Sequence, residues 1–335
     1  MPPIRRRLAT TTAGFGALLA GVLVGAPLVG STHISLQRVF DGTIPFADNL
    51  DAQIFFIARL PRVVAGAIVG GALAAAGVVF QALLRNPLAS PDTLGVSTGA
   101  ALGAMLAITF HIDVGFAGIA PVSLSSVAGS LCALAVVYAL AAGRRRGFST
   151  TLLLLAGVTM TAFLTAIILF TQYLEDFTDT FRTVRWLMGT LDVGGYTQIL
   201  AVLPMLLVGF GLLATLPRTL DLISLGADAA ASRGVDVVRA ERLALVGASL
   251  VTGAAVSIGG PIGFIGIVVP HLIRLLVGSD HRLVLPASIL FGASFVILCD
   301  AVARTIVAPV ELPVGIVTAL IGGPFFLWLL VRLSR

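Results

Sequence analysis

Long apolar stretches recur along the whole sequence, and they limit the possible folds more than any other feature. Each stretch is close to the roughly 20 residues that an α-helix needs to cross a bilayer. Only 11% of the 335 residues are charged, whereas a soluble domain carries about 25%. Because backbone amides inside lipid must be paired within their own segment, we expect an all-α integral membrane protein in which residues 1–335 form a single transmembrane domain.

Glycine, proline and charged residues divide the apolar sequence into about ten transmembrane helices. The eighth is short and is bracketed by Gly259-Gly260-Pro261 and Gly278, so it is a candidate for a partial crossing. The first follows Arg5-Arg6-Arg7 and resembles a signal peptide, but the multispan remainder favours a helix that is retained. The predicted spans lie near residues 9–30, 63–84, 93–110, 114–142, 148–173, 193–217, 243–262, 263–277, 283–308 and 312–331.

The arginines are distributed unevenly between the two sides of this arrangement. With the N-terminus inside, most of the 21 basic residues lie in inner segments, as the positive-inside rule requires. Both termini are therefore predicted to be cytoplasmic. The inner segment 218–242 is the most charged, and we expect one or two short helices in it. The outer segment 174–192 is predicted to contain an amphipathic stretch along the membrane surface.

Glycines are spaced for close contact between helices. Gly66 and Gly70 form one small-xxx-small pair, and Gly95, Gly99 and Gly103 extend the same spacing through another predicted helix. Such spacing lets backbones approach closely in lipid, where packing replaces the hydrophobic effect. We expect these glycines to lie at helix–helix contacts within one subunit.

The sequence lacks the residues that several function classes require. Every basic residue is arginine, and a P-loop needs a lysine for the phosphates of ATP, so any ATP would be hydrolysed by a second polypeptide. The distribution of positive charge does not indicate nucleic-acid binding. The four histidines and two cysteines lie singly, so we predict no metal, cofactor or catalytic residues. Residues 95–99 match the Gly-x-Ser-x-Gly pattern of hydrolases, but they open a membrane helix without a candidate triad.

Ionisable residues inside the predicted spans are scarce. They are His271 and Arg274 near an inner end, and Asp300 and Arg304 near an outer end. Because an ion-coupled secondary transporter needs ionisable relays near the middle of the membrane, this distribution disfavours that alternative class. Asp300 and Arg304 are four residues apart and are predicted to pair on one helix face.

Three long motifs lie within residues 59–96, 260–282 and 311–326. They are Arg59-Leu60-Pro61-Arg62 with residues 70–77, Gln81, 85–91 and 94–96; residues 260–266 with Pro270-His271, Arg274 and Asp280-His281-Arg282; and residues 311–318 with 323–326. These motifs resemble the FecCD-type permease family of ABC importers for iron chelates and cobalamin. The similarity runs from about residue 57 to residue 331 and implies the ten-helix, type II importer fold of the vitamin B12 importer permease.

The resemblance also implies an assembly in a bacterial inner or plasma membrane. Two permease subunits, identical or paralogous, would surround a central pathway within the membrane lipid. Two cytoplasmic ATPase subunits and an external, periplasmic binding protein would complete it. On this basis the chain itself is a transport subunit and not an enzyme.

Residues 225–235 resemble the cytoplasmic helix that couples the family's permeases to their ATPases. The candidate contact residues are Leu225, Gly226, Ala227, Ala230 and Gly234. Small alanine and glycine faces allow tight docking, and Gly234 suits a helix end in the left-handed conformation. Without the resemblance, the same segment would be interpreted as a solvated loop.

Two further sets of residues match functional positions of the family. Arg59, Arg62 and Arg304 match outer arginines that receive acidic side chains from the binding protein. The alternative for Arg59 and Arg62 is a helix end anchored at the lipid headgroups. Ser149-Thr150-Thr151 resembles the segment lining the cytoplasmic gate, although Ser149 also suits an ordinary helix N-cap.

The sequence does not single out a substrate. No iron- or haem-ligating cluster distinguishes a ferric siderophore or haem from cobalamin. An iron chelate is favoured because more of the family serves iron, and cobalamin is the alternative.

Overall fold

The computed structural model describes residues 3–112, 120–143, 147, 148 and 150–333, and these are largely helical. The α-helices are α1 (Ile4–Gly25), α2 (Leu36–Val39), α3 (Leu50–Gln53), α4 (Leu60–Leu84), α5 (Val96–Thr109), α6 (Pro121–Ala141), α7 (Thr150–Leu174), α8 (Phe177–Leu187), α9 (Tyr196–Ala214), α10 (Pro217–Ser224), α11 (Ala227–Ala231), α12 (Val237–Gly259), α13 (Ile265–Val277), α14 (His281–Ala303) and α15 (Val314–Leu333). The other elements are 3-10 turns at Ala26–Leu28, Phe46–Asp48 and Asp92–Leu94, a π-helical turn at Ile54–Arg59, and the antiparallel two-residue strands β1 (Ala142–Gly143) and β2 (Gly147–Phe148).

The described part of the chain contains seven helices that are long and apolar enough to cross a membrane. They are α1, the continuous helix Leu50–Leu84, α6, α7, α9, α12 and α14. Three shorter apolar helices, α5, α13 and α15, accompany them. The all-α membrane class and the prediction of about ten apolar helices are confirmed.

The second of these helices begins well before its predicted start at residue 63. It runs without a break from Leu50 to Leu84 through the π-helical turn. The side chain of Asn49 accepts a hydrogen bond from the Ala52 amide (3.0 Å) and so caps its first turn. At a rise of about 1.5 Å per residue, this helix of 35 residues is longer than the hydrocarbon core of a bilayer, which is about 30 Å thick. The segment between the first two predicted spans is therefore partly helical.

Helix α4 lies at the centre of the subunit. In its most apolar 18-residue window 83% of the residues are buried, against 17% for α7. It packs against α14, α12 and α13. A Cβ atom at Gly70 would lie 2.1 Å from the carbonyl oxygen of Gly292, and one at Gly77 would lie 2.0 Å from that of Gly266. These backbone contacts confirm the predicted close packing at Gly70. The helices at the centre of the subunit are in direct contact, without an open channel between them at these positions.

Helices α5 and α6 are in contact through a second set of glycines. A Cβ atom at Gly99 would lie 2.6 Å from the carbonyl oxygen of Gly129, and one at Gly103 would lie 2.0 Å from that of Ser125. Both positions are helix contacts, as the spacing predicts. Gly95 differs, because it precedes α5 with a φ of +74° and packs against Met160.

The connection from α4 to α5 lies against the middle of α7, and α5 begins at Val96, whereas the apolar pattern predicts a helix from about residue 93. The hydroxyl of Thr161, in the middle of α7, donates a hydrogen bond to the carbonyl oxygen of Asp92 (3.1 Å). A Cβ atom at Gly157 would lie 2.5 Å from the carbonyl oxygen of Thr93. Protein therefore covers this irregular backbone, as the bilayer requires, and α5 has only 14 residues.

The short eighth segment is also confirmed. Helix α13 has 13 residues and ends at Gly278, whose φ is +85°. At about 1.5 Å per residue its length is about 20 Å, less than the hydrocarbon core.

Short helices cover both ends of the bundle. We call the end with α10 and α11 the inner end, and the end with α2, α3 and α8 the outer end. Helices α10 and α11 confirm the short helices predicted within residues 218–242. Helix α8 confirms the amphipathic stretch, and the Asp176 side chain caps it by accepting from the Asp179 amide (3.0 Å).

Candidate functional site

A cluster of charged side chains lies at the outer end, where α4, α14 and the start of α15 approach one another. Arg62 contacts two carboxylates: its Nε lies 2.8 Å from Asp300 Oδ1, and its Nη1 lies 2.6 Å from Glu311 Oε2. Arg304 forms an ion pair with the other oxygen of Asp300, with 3.0 Å between Nε and Oδ2. The predicted Asp300–Arg304 pair is thus confirmed, and Asp300 lies between two guanidinium groups.

Arg304 and the nearby Arg59 hold the segment that follows α1 through hydrogen bonds. Arg59 donates hydrogen bonds to the carbonyl oxygens of Pro27 (3.0 Å) and Thr32. Arg304 donates to those of Val29 (3.1 Å) and Ala26 (3.4 Å). Carbonyls at the end of a helix lack intrahelical partners and carry partial negative charge. The two guanidinium groups therefore compensate this helix end.

The structure brings the three predicted docking arginines together but places them below the surface. Arg59 is 6% exposed and Arg304 is 3% exposed, whereas docking through an exposed Arg304 would place that side chain in solvent. A cavity of about 160 Å³ reaches them from outside. Its lining consists of Gly30, Ser31, Thr32, Ile54, Ala58, Arg59, Arg62, Arg304 and Glu311.

The partners of Arg62 have no local sequence signal. Asp300 and Glu311 lie 238 and 249 residues away along the chain. Only the packing of α4 against α14 brings them within reach. Glu311 belongs to the third sequence motif, but no prediction assigned it to the site.

At the inner end, α10 and α11 form the segment predicted to contact an ATPase. Leu225 is 64% exposed, and Ala227 and Gly234 are also on the surface. Ala230 is fully buried, so it packs the segment onto the bundle instead of facing outward. Gly234 has a φ of +83°, the left-handed conformation that its sequence position suggests.

An aspartate–histidine pair attaches α10 to α14. The Oδ1 atom of Asp221 lies 2.9 Å from the amide nitrogen of His281, which donates to it, and 2.6 Å from Nδ1 of the same residue. His281 is 4% exposed, and Leu220 and Ile223 on α10 are buried beside this contact. Sequence reasoning missed this pair, because a single histidine gives no spacing signal.

Further hydrogen bonds join the helices that end near α10. Gln81 on α4 donates to the carbonyl oxygen of Gly266 (3.0 Å) and accepts from Arg274 on α13. Arg7 donates to the carbonyl oxygen of Val277 (2.7 Å) at the end of α13. These bonds connect α1, α4 and α13 at the end of the bundle that carries α10 and α11.

The N-cap of α14 is a carboxylate held by a neighbouring arginine. Arg282 donates to Asp280 at 2.6 Å from Nη2 and at 2.9 Å from Nε. These hydrogen bonds lower the pKa of Asp280 below its ordinary value. Asp280 also accepts from the Arg282 amide (3.0 Å), so a negative charge lies at the positive end of the helix.

The predicted gate falls at the start of α7. Ser149 lies outside the described residues, Thr150 begins the helix and Thr151 is exposed in its first turn. From there to Tyr173, α7 presents a broad exposed face that includes Leu155 (64%) and Phe163 (61%). The gate role remains a prediction.

No group of three histidine, cysteine, aspartate or glutamate side chains suited to a metal ion occurs within the described ranges. Cys132 and Cys299 are both free thiols.

A bundle of about ten apolar helices, with short helices over its ends, defines a multispan membrane protein. Residues 17–332 match the FecCD transport family, and the chain belongs to that family. It is accordingly a permease subunit of an ABC importer.

Relatives of the chain agree with this assignment. The cobalamin import system permease protein BtuC of Halobacterium salinarum is 45% identical over 326 residues, which cover 92% of this chain and 85% of that protein. The hemin transport system permease protein HmuU of Yersinia pestis is 36% identical over 322 residues, covering 95% of each chain. A solved metal-chelate type ABC transporter in an inward-facing conformation has a TM-score of 0.82 at 31% identity, covering 97% of this chain and 99% of that one.

Proposed function

We propose that this chain is the membrane-spanning subunit of an ATP-driven importer that carries an iron chelate, either a ferric siderophore or haem. The observation that carries this proposal is the likeness, over nearly the whole chain, to a metal-chelate type transporter and to a haem permease. Cobalamin is the second candidate, since the cobalamin permease of Halobacterium salinarum is 45% identical. The proposed location is the plasma membrane, or the inner membrane where two membranes are present.

The inner end is proposed to face the cytoplasm, where two ATPase subunits would dock on α10 and α11. The arginine distribution supports this orientation and would place both termini inside. The absence of lysine supports an ATPase on separate chains. The exposed Leu225 and Ala227 offer a small, partly apolar contact surface beside the pair that attaches α10 to α14.

The substrate pathway is proposed to run between two permease subunits. Backbone contacts at Gly70 and Gly77 leave no room for a large chelate through the centre of one subunit. Helix α7 is the least buried of the long helices after α1 and has an exposed face along its length. We therefore assign α7, beginning at the candidate gate residues Thr150 and Thr151, to the wall of the pathway.

The cluster of Arg59, Arg62 and Arg304 is proposed to receive acidic side chains of an external binding protein. It lies at the end of the bundle opposite α10 and is reached through the cavity of about 160 Å³. Replacement of all three arginines with glutamate is expected to abolish docking of the binding protein. Unchanged affinity would contradict this assignment.

The first test is to purify the tagged protein gently from its native membrane and to assay for ATPase activity that accompanies it. We expect a co-purifying ATPase, and we expect Ala227→Leu and Gly234→Leu to remove it. Ala227→Leu changes only the surface, whereas Gly234→Leu also strains a left-handed backbone. Gly211→Leu is a control, because nothing lies within 4 Å of a Cβ atom there.

The second test separates the substrates. Proteoliposomes with the co-purified ATPase and binding protein are supplied with a ferric siderophore, haem or cobalamin, and ATP-dependent uptake is measured. Uptake of cobalamin alone would replace the iron-chelate assignment. Uptake driven by an ion gradient without any ATPase would instead support an ion-coupled secondary transporter.

A further inference from the structure

The charges of the outer cluster do not balance. The cluster contains three arginines, Arg59, Arg62 and Arg304, and two carboxylates, Asp300 and Glu311, which pair with Arg62 and Arg304. In the described part of the chain no carboxylate lies within ion-pair distance of Arg59, which hydrogen-bonds only to backbone carbonyl oxygens. The cluster therefore carries one net positive charge in a site that is largely shielded from solvent.

The two carboxylates differ in accessibility. The Asp300 side chain is 1% exposed and is held between Arg62 and Arg304. The Glu311 side chain is 36% exposed and makes one ion pair, with Nη1 of Arg62. Removing Asp300 would leave buried Arg304 without a carboxylate and Arg62 with Glu311 alone, whereas Glu311 can move into solvent with its charge hydrated. Glu311 is thus the exchangeable carboxylate of the cluster.

The cavity beside Glu311 is suited to another carboxylate. Its lining includes all three arginines and Glu311 itself, and its volume of about 160 Å³ has room for several waters or one acidic side-chain end. Arginine is well suited to carboxylates because its planar fork offers several donors. An entering carboxylate would compensate Arg59 and could take the place of Glu311 on Arg62.

We propose that Glu311 is a displaceable internal ligand of the cluster, which occupies Arg62 until an acidic side chain of the binding protein replaces it. This inference rests on the proposed docking role of the arginines and adds a residue that determines docking affinity. Glu311 competes with the partner, so it weakens docking and favours an acidic partner strong enough to displace it. Glu311 also lies three residues before α15, so its release occurs at the start of a long surface helix.

The test compares Glu311→Gln with the intact chain in the purified permease–ATPase complex in nanodiscs. The measured quantity is the Kd of the co-purified binding protein at low and at physiological salt. Because the pair is partly exposed, we expect Glu311→Gln to tighten docking by about fivefold, most strongly at low salt. Asp48→Asn, at an exposed outer position outside the cluster, should leave the Kd unchanged.

A purely structural role for Glu311 predicts the opposite change in Kd for Glu311→Gln, because loss of an ion pair would disorder the cluster and weaken docking. Weaker or unchanged docking in Glu311→Gln, while Arg59→Glu abolishes docking, would overturn the displacement proposal alone. Unchanged docking in Arg59→Glu, Arg62→Glu and Arg304→Glu would overturn the docking role and this inference with it. Glu311→Ala is a second variant, and thermal unfolding of each complex verifies that the variants fold.

Discussion

At the scale of single residues, two glycines decide how closely α4 and α14 approach. Gly70 and Gly292 face each other, and a Cβ atom at either position would lie within 2.6 Å of the partner backbone. Backbone atoms cannot move aside as the end of a flexible side chain can. In an interior packed this closely, any added side-chain volume forces the surrounding backbone and side chains out of their preferred positions.

We therefore expect Gly70→Ala to destabilise the protein by about 1–3 kcal/mol or more, as overpacking does. This loss exceeds the gain of up to about 1 kcal/mol that alanine brings to an exposed helix position. Thermal unfolding in detergent measures the difference. Gly211→Ala in α9 is the matched control, and it should be neutral or stabilising because no atom lies within 4 Å of the added methyl group.

Asp300 supports a second prediction at this scale. It lies between Arg62 and Arg304 and is 1% exposed. Asp300→Asn leaves both guanidinium groups without their buried anion, so we expect a loss of about 3–5 kcal/mol in unfolding free energy. Denaturant titration of the purified protein measures it. Asp192→Asn, at a side chain that is 71% exposed, should change stability little, and an equal effect of both variants would contradict the role given to Asp300.

At the scale of helices, the contact between α10 and α14 joins the proposed ATPase-docking segment to the membrane bundle. A single carboxylate oxygen of Asp221 accepts a hydrogen bond from the backbone amide of His281 and also contacts Nδ1 of its imidazole ring. Helix α14 then runs through the membrane to Asp300 and Arg304 in the outer cluster. One helix thus connects the two candidate sites.

From this connection we predict that Asp221→Ala and His281→Ala lower the amount of substrate transported per ATP hydrolysed. The physical reason is that α10 would move without carrying α14 with it. Uptake and phosphate release are measured together in proteoliposomes. The double variant should be no worse than either single variant, because the contact is lost only once; additive losses would contradict a shared role.

At the scale of the whole molecule, the solid centre and exposed α7 lead to a prediction about assembly. With Cys132 and Cys299 replaced by serine, Val158→Cys on α7 should be cross-linked between two copies by a bifunctional maleimide. Val158 is 60% exposed on the face assigned to the pathway. Leu207→Cys on α9 is the control, since this residue is 71% exposed but lies on a helix that is not assigned to the pathway. Cross-linking at Leu207 but not at Val158 would reverse the assignment.

The sequence predicted about ten apolar helices correctly, because a helix that crosses a bilayer needs an apolar run of matching length. It also predicted the Asp300–Arg304 pair and the left-handed Gly234, which depend on spacing within one segment. It missed the contacts of Arg62 with Glu311 and of Asp221 with His281, because these depend on how distant helices pack. The contact of the Asp92 loop with the middle of α7 was also missed, since an apolar pattern does not show how far a connection enters the bundle.

The burial of α4 has a consequence for the order in which the protein is made. Its packing partner α14 begins 197 residues after α4 ends, which corresponds to about 10–40 s of synthesis at about 5–20 residues per second. During that interval the face of α4 that later contacts α14 lacks its partner, and the mean hydropathy of 2.3 makes α4 compatible with lipid. The glycine face of α4 meets α14 only after this interval, so the last helices to be synthesised complete the centre of the molecule.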